Sequence, residues 1–181
     1  MKVELVESLS TDARPEAWRL YTEVFDDLRF RAVRRQVMYR PEFDSVMTDR
    51  RVSKCLAQDD GGGLRGLSTF TNDLAAVPLI SPEYFERRWP DRFAARRIWY
   101  CGFVAVRPGT ENSGVFAALV EAMYRAAAPQ DGIIGLDLCR HDDQVSKVSR
   151  AVRLMLHRLS GDVRAQRADE QAYWLYEFPA A

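Results

Sequence analysis

Histidine, the side chain best suited to move protons near neutral pH, occurs only twice in this 181-residue chain, at His141 and His157. His141 follows the apolar run Ile133-Ile-Gly-Leu-Asp-Leu-Cys139 and precedes Asp142 and Asp143. It therefore stands at the end of an expected strand, with Asp142 able to orient its ring, and suits a general base. Tyr100, inside a second apolar run, is the matching candidate for a general acid. Its neighbour Cys101 would need to be a thiolate to attack anything, and no adjacent charge lowers its pKa, so a buried core thiol is the simpler reading. His157 falls beside the apolar stripe of a late helix, where a hydrogen-bonded structural role fits better.

A cationic, aromatic-bearing stretch precedes both apolar runs. Tyr84 and Arg87-Arg88-Trp89-Pro90, with Arg92, Arg96 and Arg97, sit in a connection spanning residues 73–97. Arginine binds planar anions through two parallel hydrogen bonds, so an acceptor carboxylate, a carrier-protein helix or an RNA backbone would each suit Tyr84, Arg87, Arg88 and Trp89. A solvated basic surface paired with Glu83, Glu86 and Asp91 is the alternative. Connections of this length are more often lids or binding loops than idle chain, and covering a sheet edge is the competing use.

The elements that must position these groups centre on residues 98–127. Ile98 to Val106 is apolar, aromatic and β-branched and stops at Pro108-Gly109, which predicts a buried strand closed by a breaker pair. Val115, Leu119, Ala122, Met123 and Ala126 then fall on one helical face, with Asn112 or Ser113 as cap and Pro129 past the end. Strand, glycine loop and helix N-terminus together aim backbone N–H groups and the positive helix end at one point.

That unit resembles the donor-binding segment of the GNAT acyltransferase superfamily, Val-x-Pro-x-x-(Gln/Arg)-x-x-Gly-x-(Gly/Ala)-x-x-Leu-Leu. Val106, Pro108, Gly114, Leu119 and the conservative Val120 match, whereas Glu111 replaces Gln or Arg and Phe116 replaces the second small residue. The resemblance implies a donor site formed by Val104, Val106, Glu111, Asn112, Ser113, Gly114, Val115 and Phe116. It implies acetyl-CoA or another acyl thioester as donor, a small-molecule amine as acceptor, and no metal. Glu111 puts a carboxylate where a pyrophosphate should rest, so a donor presented by an acyl carrier protein or by tRNA is a second reading. A catalytically inert binding protein is a third. Family members commonly use a Glu or a water relay near the middle of the fourth strand and a Tyr on the helix after the fifth; here Tyr100 and Cys101, and Met155 or Leu156, stand instead.

The order of elements extends the resemblance along the chain. A strand at 2–8, helices at 10–28, 30–39 and 42–48, a hairpin at 52–72 around Asp59-Asp60-Gly61-Gly62-Gly63, a helix from 141 to 160 and strands at 163–167 and 172–178 are expected. The implied fold is an α/β (α+β) GNAT-like, mixed, mostly antiparallel sheet of about six to seven strands flanked by helices, splayed between strands 98–106 and 133–139. One domain over 1–181 is expected, with 73–97 as its insertion, and Tyr173, Trp174 and Tyr176 would enrich a homodimer surface on the last strands. Acids and bases balance at 26 each, and only Lys2, Lys54 and Lys147 are lysine. Three unpaired cysteines, no signal-like start and no membrane-length apolar run fit a cytoplasmic protein with no membrane partner.

Overall fold

A computed structural model of the chain describes residues 1–78, 80–110 and 114–178. Glu111, Asn112 and Ser113, three of the expected donor-site residues, lie outside the described residues. Strands β1 (Lys2–Val6), β2 (Ser53–Gln58), β3 (Leu64–Thr71), β4 (Ile98–Val106) and β5 (Ile133–Leu136) form one sheet in that order. The first four run antiparallel and β5 runs parallel to β4.

Helices α1 (Arg14–Phe25) and α2 (Arg40–Thr48) cover one face. Pro15 stands in the first turn of α1, and Ser10 Oγ accepts the Ala13 N–H just ahead of it, at 3.3 Å. The face so started places Ala17, Leu20 and Tyr21 in a core with Phe43, Met47, Leu67 and Ala105, to which Phe103 adds its ring. Full burial of each such large side chain is worth about 1.5–3 kcal/mol. Helices α5 (Val115–Ala127) and α6 (Val148–Ser160) lie on the other face, where Val115, Leu119 and Met123 pack on Cys55, Ala57 and Phe70. Gly66 makes that approach close: a Cβ there would stand 2.6 Å from Val115 Cγ1. In the glycine-rich hairpin, Asp59 Oδ1 accepts the N–H groups of Gly61 and Gly63, so this stretch is a turn held by its own acid.

Lys54 is fully buried, and its Nζ donates to the carbonyls of Glu7, Asp49 and Val52 at 2.8, 2.7 and 2.6 Å. Burial pulls its pKa down to about 8. One ammonium group thus ties together the chain after β1, the end of α2 and the start of β2.

The insertion is a packed layer. A 3-10 turn at Leu74–Ala76 leads to α3 (Pro82–Arg88) and α4 (Pro90–Ala94), and Val77, Ile80, Phe85, Trp89 and Phe93 close over Ile98 and Tyr100.

Four expectations are corrected. The sheet has five strands, because among the described residues none forms at 163–167 or 172–178. β5 ends at Leu136, so it offers only four residues of edge to a further strand. Tyr173, Trp174, Tyr176 and Phe178 are exposed as a result. Residues 31–39 are irregular instead of helical: Met38 N–H donates to Tyr21 Oη at 2.9 Å and Val37 is buried, so tertiary partners outweigh a helix too short to stand alone. Finally, His141–Val145 forms a π turn, Lys147 takes a left-handed φ of 55°, and α6 begins only at Val148. Val145, expected on its apolar stripe, is exposed.

Candidate active site

β4 and β5 pair over four residues, from Ile98 with Ile133 to Cys101 with Leu136, and then separate. Beyond that fork, among the described residues, Phe103–Val106 pairs only with β3. A bulge accounts for the divergence: Thr69 faces Phe103 while Phe70 faces Cys101, leaving Gly102 as the extra residue that bends β4. Glycine is required there, since a Cβ would stand 2.6 Å from Thr69 Oγ1. The open edge of β4 exposes backbone donors and acceptors that an amide-bearing ligand can satisfy as another strand would.

Tyr100 sits at the fork. Its ring lies over Gly135, where a Cβ would be 3.1 Å from Tyr100 Cδ2, and its hydroxyl donates to Asp137 Oδ1 at 2.9 Å. Burial, then the neighbouring Asp137 carboxylate, pushes the Tyr100 pKa well above that of an ordinary tyrosine. Asp137 is exposed, just past the end of β5. A proton-holding phenol and a reachable carboxylate therefore meet where the strands part.

His141 stands four residues further on. Its Nε2 lies 2.8 Å from Arg31 Nη1, and its Nδ1 lies 3.4 Å from Asp142 Oδ1. Arginine can only donate, so Nε2 is the acceptor and the ring proton is on Nδ1, facing Asp142. The expected His141–Asp142 pair exists, with the Nε2 lone pair engaged by Arg31. Arg31 in turn pairs with Asp27. The segment carrying Arg31 and Arg34 is held in place by buried Val37, by Met38 on Tyr21 and by the ion pair of Arg35 with Glu42.

Of the insertion residues, Phe85 meets Tyr100 edge-on at 6.4 Å, which sets α3 beside the fork. Trp89 is half-buried under the guanidinium of Arg88, 5.2 Å from its ring. Tyr84 Oη donates to the Ala168 carbonyl at 3.3 Å, and Arg87 and Arg88 are exposed on the last turn of α3. Cys101 is buried with its pKa pushed up to about 12, by desolvation above all, as expected of a core thiol.

Of the residues expected at the donor site, Val104 and Val106 are half-buried on the α5 face of β4. Gly114 caps α5 with φ 78°, a conformation open to glycine, and Val115 is buried. Phe116 packs against the core below the helix. Arg107 is spoken for: it donates to the Leu64 carbonyl and pairs with Glu23 and Glu16. Among the described residues no cluster of His, Cys, Asp or Glu could hold a metal ion, and no helix is long and apolar enough to cross a membrane.

Asp137 and Arg31 were not foreseen from the sequence. Asp137 had a signal, as the one charge within the run 133–139. Nothing local ties Arg31 to His141, 110 residues away.

No family model matches the sequence, and no curated protein does. Solved structures do match. An aminoglycoside acetyltransferase from an uncultured soil metagenomic sample, in complex with sisomicin, is 12% identical over 97% of this chain and 96% of its own, with a TM-score of 0.53. A ribosomal-protein-alanine N-acetyltransferase from Brucella melitensis biovar Abortus is 14% identical over 97% and 99%, with a TM-score of 0.54. AAC(6')-Iy in complex with the bisubstrate analogue CoA-S-monomethyl-acetylneamine is 13% identical over 97% and 100%, with a TM-score of 0.52. A five-stranded sheet open between β4 and β5, with helices on both faces and this likeness along nearly the whole chain, is the GNAT fold.

Proposed function

We propose that the protein is an N-acyltransferase that moves an acyl group from a thioester, acetyl-CoA or a relative of it, to the amine of a small molecule or amino acid. The observation that carries this reading is the Tyr100–Asp137 hydrogen bond at the mouth of the β4–β5 fork. The donor's amide-bearing arm would run along the open edge of β4, with Val104 and Val106 beside it and the N-terminus of α5 at its far end.

The amine nitrogen bonds to the thioester carbonyl carbon, the nitrogen sheds a proton and the carbon–sulfur bond breaks. Asp137 is the reachable proton acceptor, and as a carboxylic acid it can return that proton to the departing thiolate, since thiols are far weaker acids. Tyr100 is a weaker acid than a thiol, so in this scheme it holds Asp137 in place and turns its hydrogen to the oxyanion or sulfur once Asp137 is protonated. His141, with Asp142 behind it, becomes a second acceptor when Arg31 swings away. Tyr84, Arg87, Arg88 and Trp89 border the acceptor side. Glu111 favours the second reading, a donor presented on a carrier protein or tRNA with less phosphate charge at that loop.

The test is mass spectrometry of the products formed from acetyl-CoA and a panel of amines. An amine heavier by one acetyl group supports the reading. Products that appear only when the acyl group arrives on a carrier protein support the second.

A further inference from the structure

Helix α6 carries Lys147 at its cap and Arg150, Arg153 and Arg158 along its length, and no acid stands in the sequence between Asp143 and Asp162. By helical periodicity these four cations and His157 share one arc of the helix, and all five are exposed. The four cations make no ion pair and no side-chain hydrogen bond among the described residues. Asp143, just ahead of the helix, is engaged by Ser149 and Arg167. Cations in the first turn oppose the helix dipole, and like charges three and four residues apart repel, so the ridge costs stability that no acid among the described residues returns. Leu154, 53% exposed, stands within the ridge, whereas Met155 and Leu156 turn into the cluster that holds Trp99 of β4 and Ile134 of β5. Those two residues pair with each other just before the strands part. α6 is therefore seated over the closed end of the fork, next to α5, where Tyr124 Oη donates to the Leu159 carbonyl at 3.4 Å.

We propose that the outer face of α6 docks the acidic helix of an acyl carrier protein, which delivers its thioester to the fork. This rests on the acyl-transfer reading and names the carrier of the donor. From Lys147 to Arg158 the ridge runs for about 16 Å, roughly three turns, so carboxylates three and four residues apart on a partner helix meet its cations in turn. Leu154 gives that contact an apolar centre, as protein interfaces have. RNA fits less well, because a net charge of zero and a pI of about 6.7 lack the basic excess that draws a polyanion. A membrane surface fits less well too, because the apolar face it would bury is already turned onto the core of the sheet. A protein seated on α6 lies on the α5 face, beside the helix whose N-terminus ends the donor's path. The insertion, packed on Ile98 and Tyr100, is on the other face and stays free for the acceptor.

The experiment measures kcat/KM for an acetylated carrier protein and for acetyl-CoA with the same amine panel, in the wild type and in the double variant Arg150→Glu, Arg153→Glu. Both side chains are exposed, so the variant keeps the fold, which circular dichroism checks. At low salt, charge steering is expected to favour the carrier-borne donor by about 10- to 100-fold, and the variant should lose that advantage while its rate with acetyl-CoA stays as it was. High salt should remove the advantage from the wild type as well. An equal or lower kcat/KM for the carrier-borne donor at low salt, or an advantage that survives the double variant, overturns the proposal. If neither donor acetylates any amine, the acyl-transfer reading fails by itself, and fluorescence anisotropy of labelled carrier protein decides about α6. Salt-sensitive binding that is lost in the variant upholds the docking face; no binding, or binding only of a short RNA or of phosphatidylglycerol vesicles, overturns it.

Discussion

The Tyr100 hydroxyl donates to Asp137 at 2.9 Å across the point where β4 and β5 part, and the glycine opposite it, Gly135, leaves room for the ring that carries it. Replacing Asp137 with Asn keeps the shape and removes the proposed proton acceptor, so turnover should fall by about 10²- to 10⁴-fold. Tyr100→Phe removes both the positioning hydrogen bond and the hydrogen offered to the oxyanion or sulfur, and should cost about 10- to 1000-fold. The pH dependence of stability follows from the same contact. A pKa raised in the folded state contributes stability that is complete below the ordinary tyrosine value of 10.0 and is lost as pH rises through the folded value. Urea unfolding above pH 10 should therefore show a shallower loss of stability in Tyr100→Phe than in the wild type; parallel curves would contradict it.

Gly102 and Gly135 should tolerate no side chain. Alanine at Gly135 drives a Cβ to 3.1 Å from the Tyr100 ring, and alanine at Gly102 meets the buried Thr69 hydroxyl at 2.6 Å. Each should destabilise the fold by about 1–3 kcal/mol, read as a lowered denaturant midpoint. Gly135→Ala should also lower turnover in the fraction that stays folded, because it displaces Tyr100 from Asp137.

Much of this architecture was readable in the chain, and the misses have separate physical causes. The strands at β2, β3 and β4, the hairpin glycines, α5 and the fork between β4 and β5 follow from local pattern and from the resemblance at Val106, Pro108 and Gly114. The bulge did not. Strict alternation would put Tyr100 and Phe103 on opposite faces, yet Gly102 drops out of register and both point to the α1 side of the sheet. Residues 31–39 carry helix-forming side chains whose local preference loses to Tyr21 and to the burial of Val37. The end of the chain alternates like a strand, but alternation cannot supply the partner edge that β5, stopping at Leu136, does not provide. At the site, Tyr100 and His141 were legible as chemistry-bearing residues, whereas the contacts of Asp137 with Tyr100 and of Arg31 with His141 depend on pairs distant in sequence.

Lys54 should matter to stability far more than a lysine usually does. Lys54→Met matches its length and apolar stem but strands the carbonyls of Glu7 and Val52 without the ammonium, while the Asp49 carbonyl keeps only the Val52 N–H. Leaving buried acceptors unsatisfied costs about 1–3 kcal/mol each, so a loss of several kcal/mol is expected in chemical denaturation. A variant as stable as the wild type would show that water or backbone adjustment replaces the ammonium.

Glu111, which lies outside the described residues, is proposed to weaken donor binding. A carboxylate beside two phosphates costs about 1–4 kcal/mol in partly solvated surroundings, or roughly one to three powers of ten in affinity. Glu111→Arg should tighten acetyl-CoA by about that factor in calorimetric titration. A low-micromolar wild-type constant, unchanged by the substitution, would remove Glu111 from the donor site.

Acyl transfer at the β4–β5 fork is tested most directly by steady-state thiol release from acetyl-CoA in the presence of an amine, measured side by side for the wild type and Asp137→Asn. Amine-dependent release in the wild type, reduced at least a hundredfold in the variant while circular dichroism shows the same fold, is the predicted result. Release at equal rates in both proteins, or none in either with any thioester donor, would contradict it.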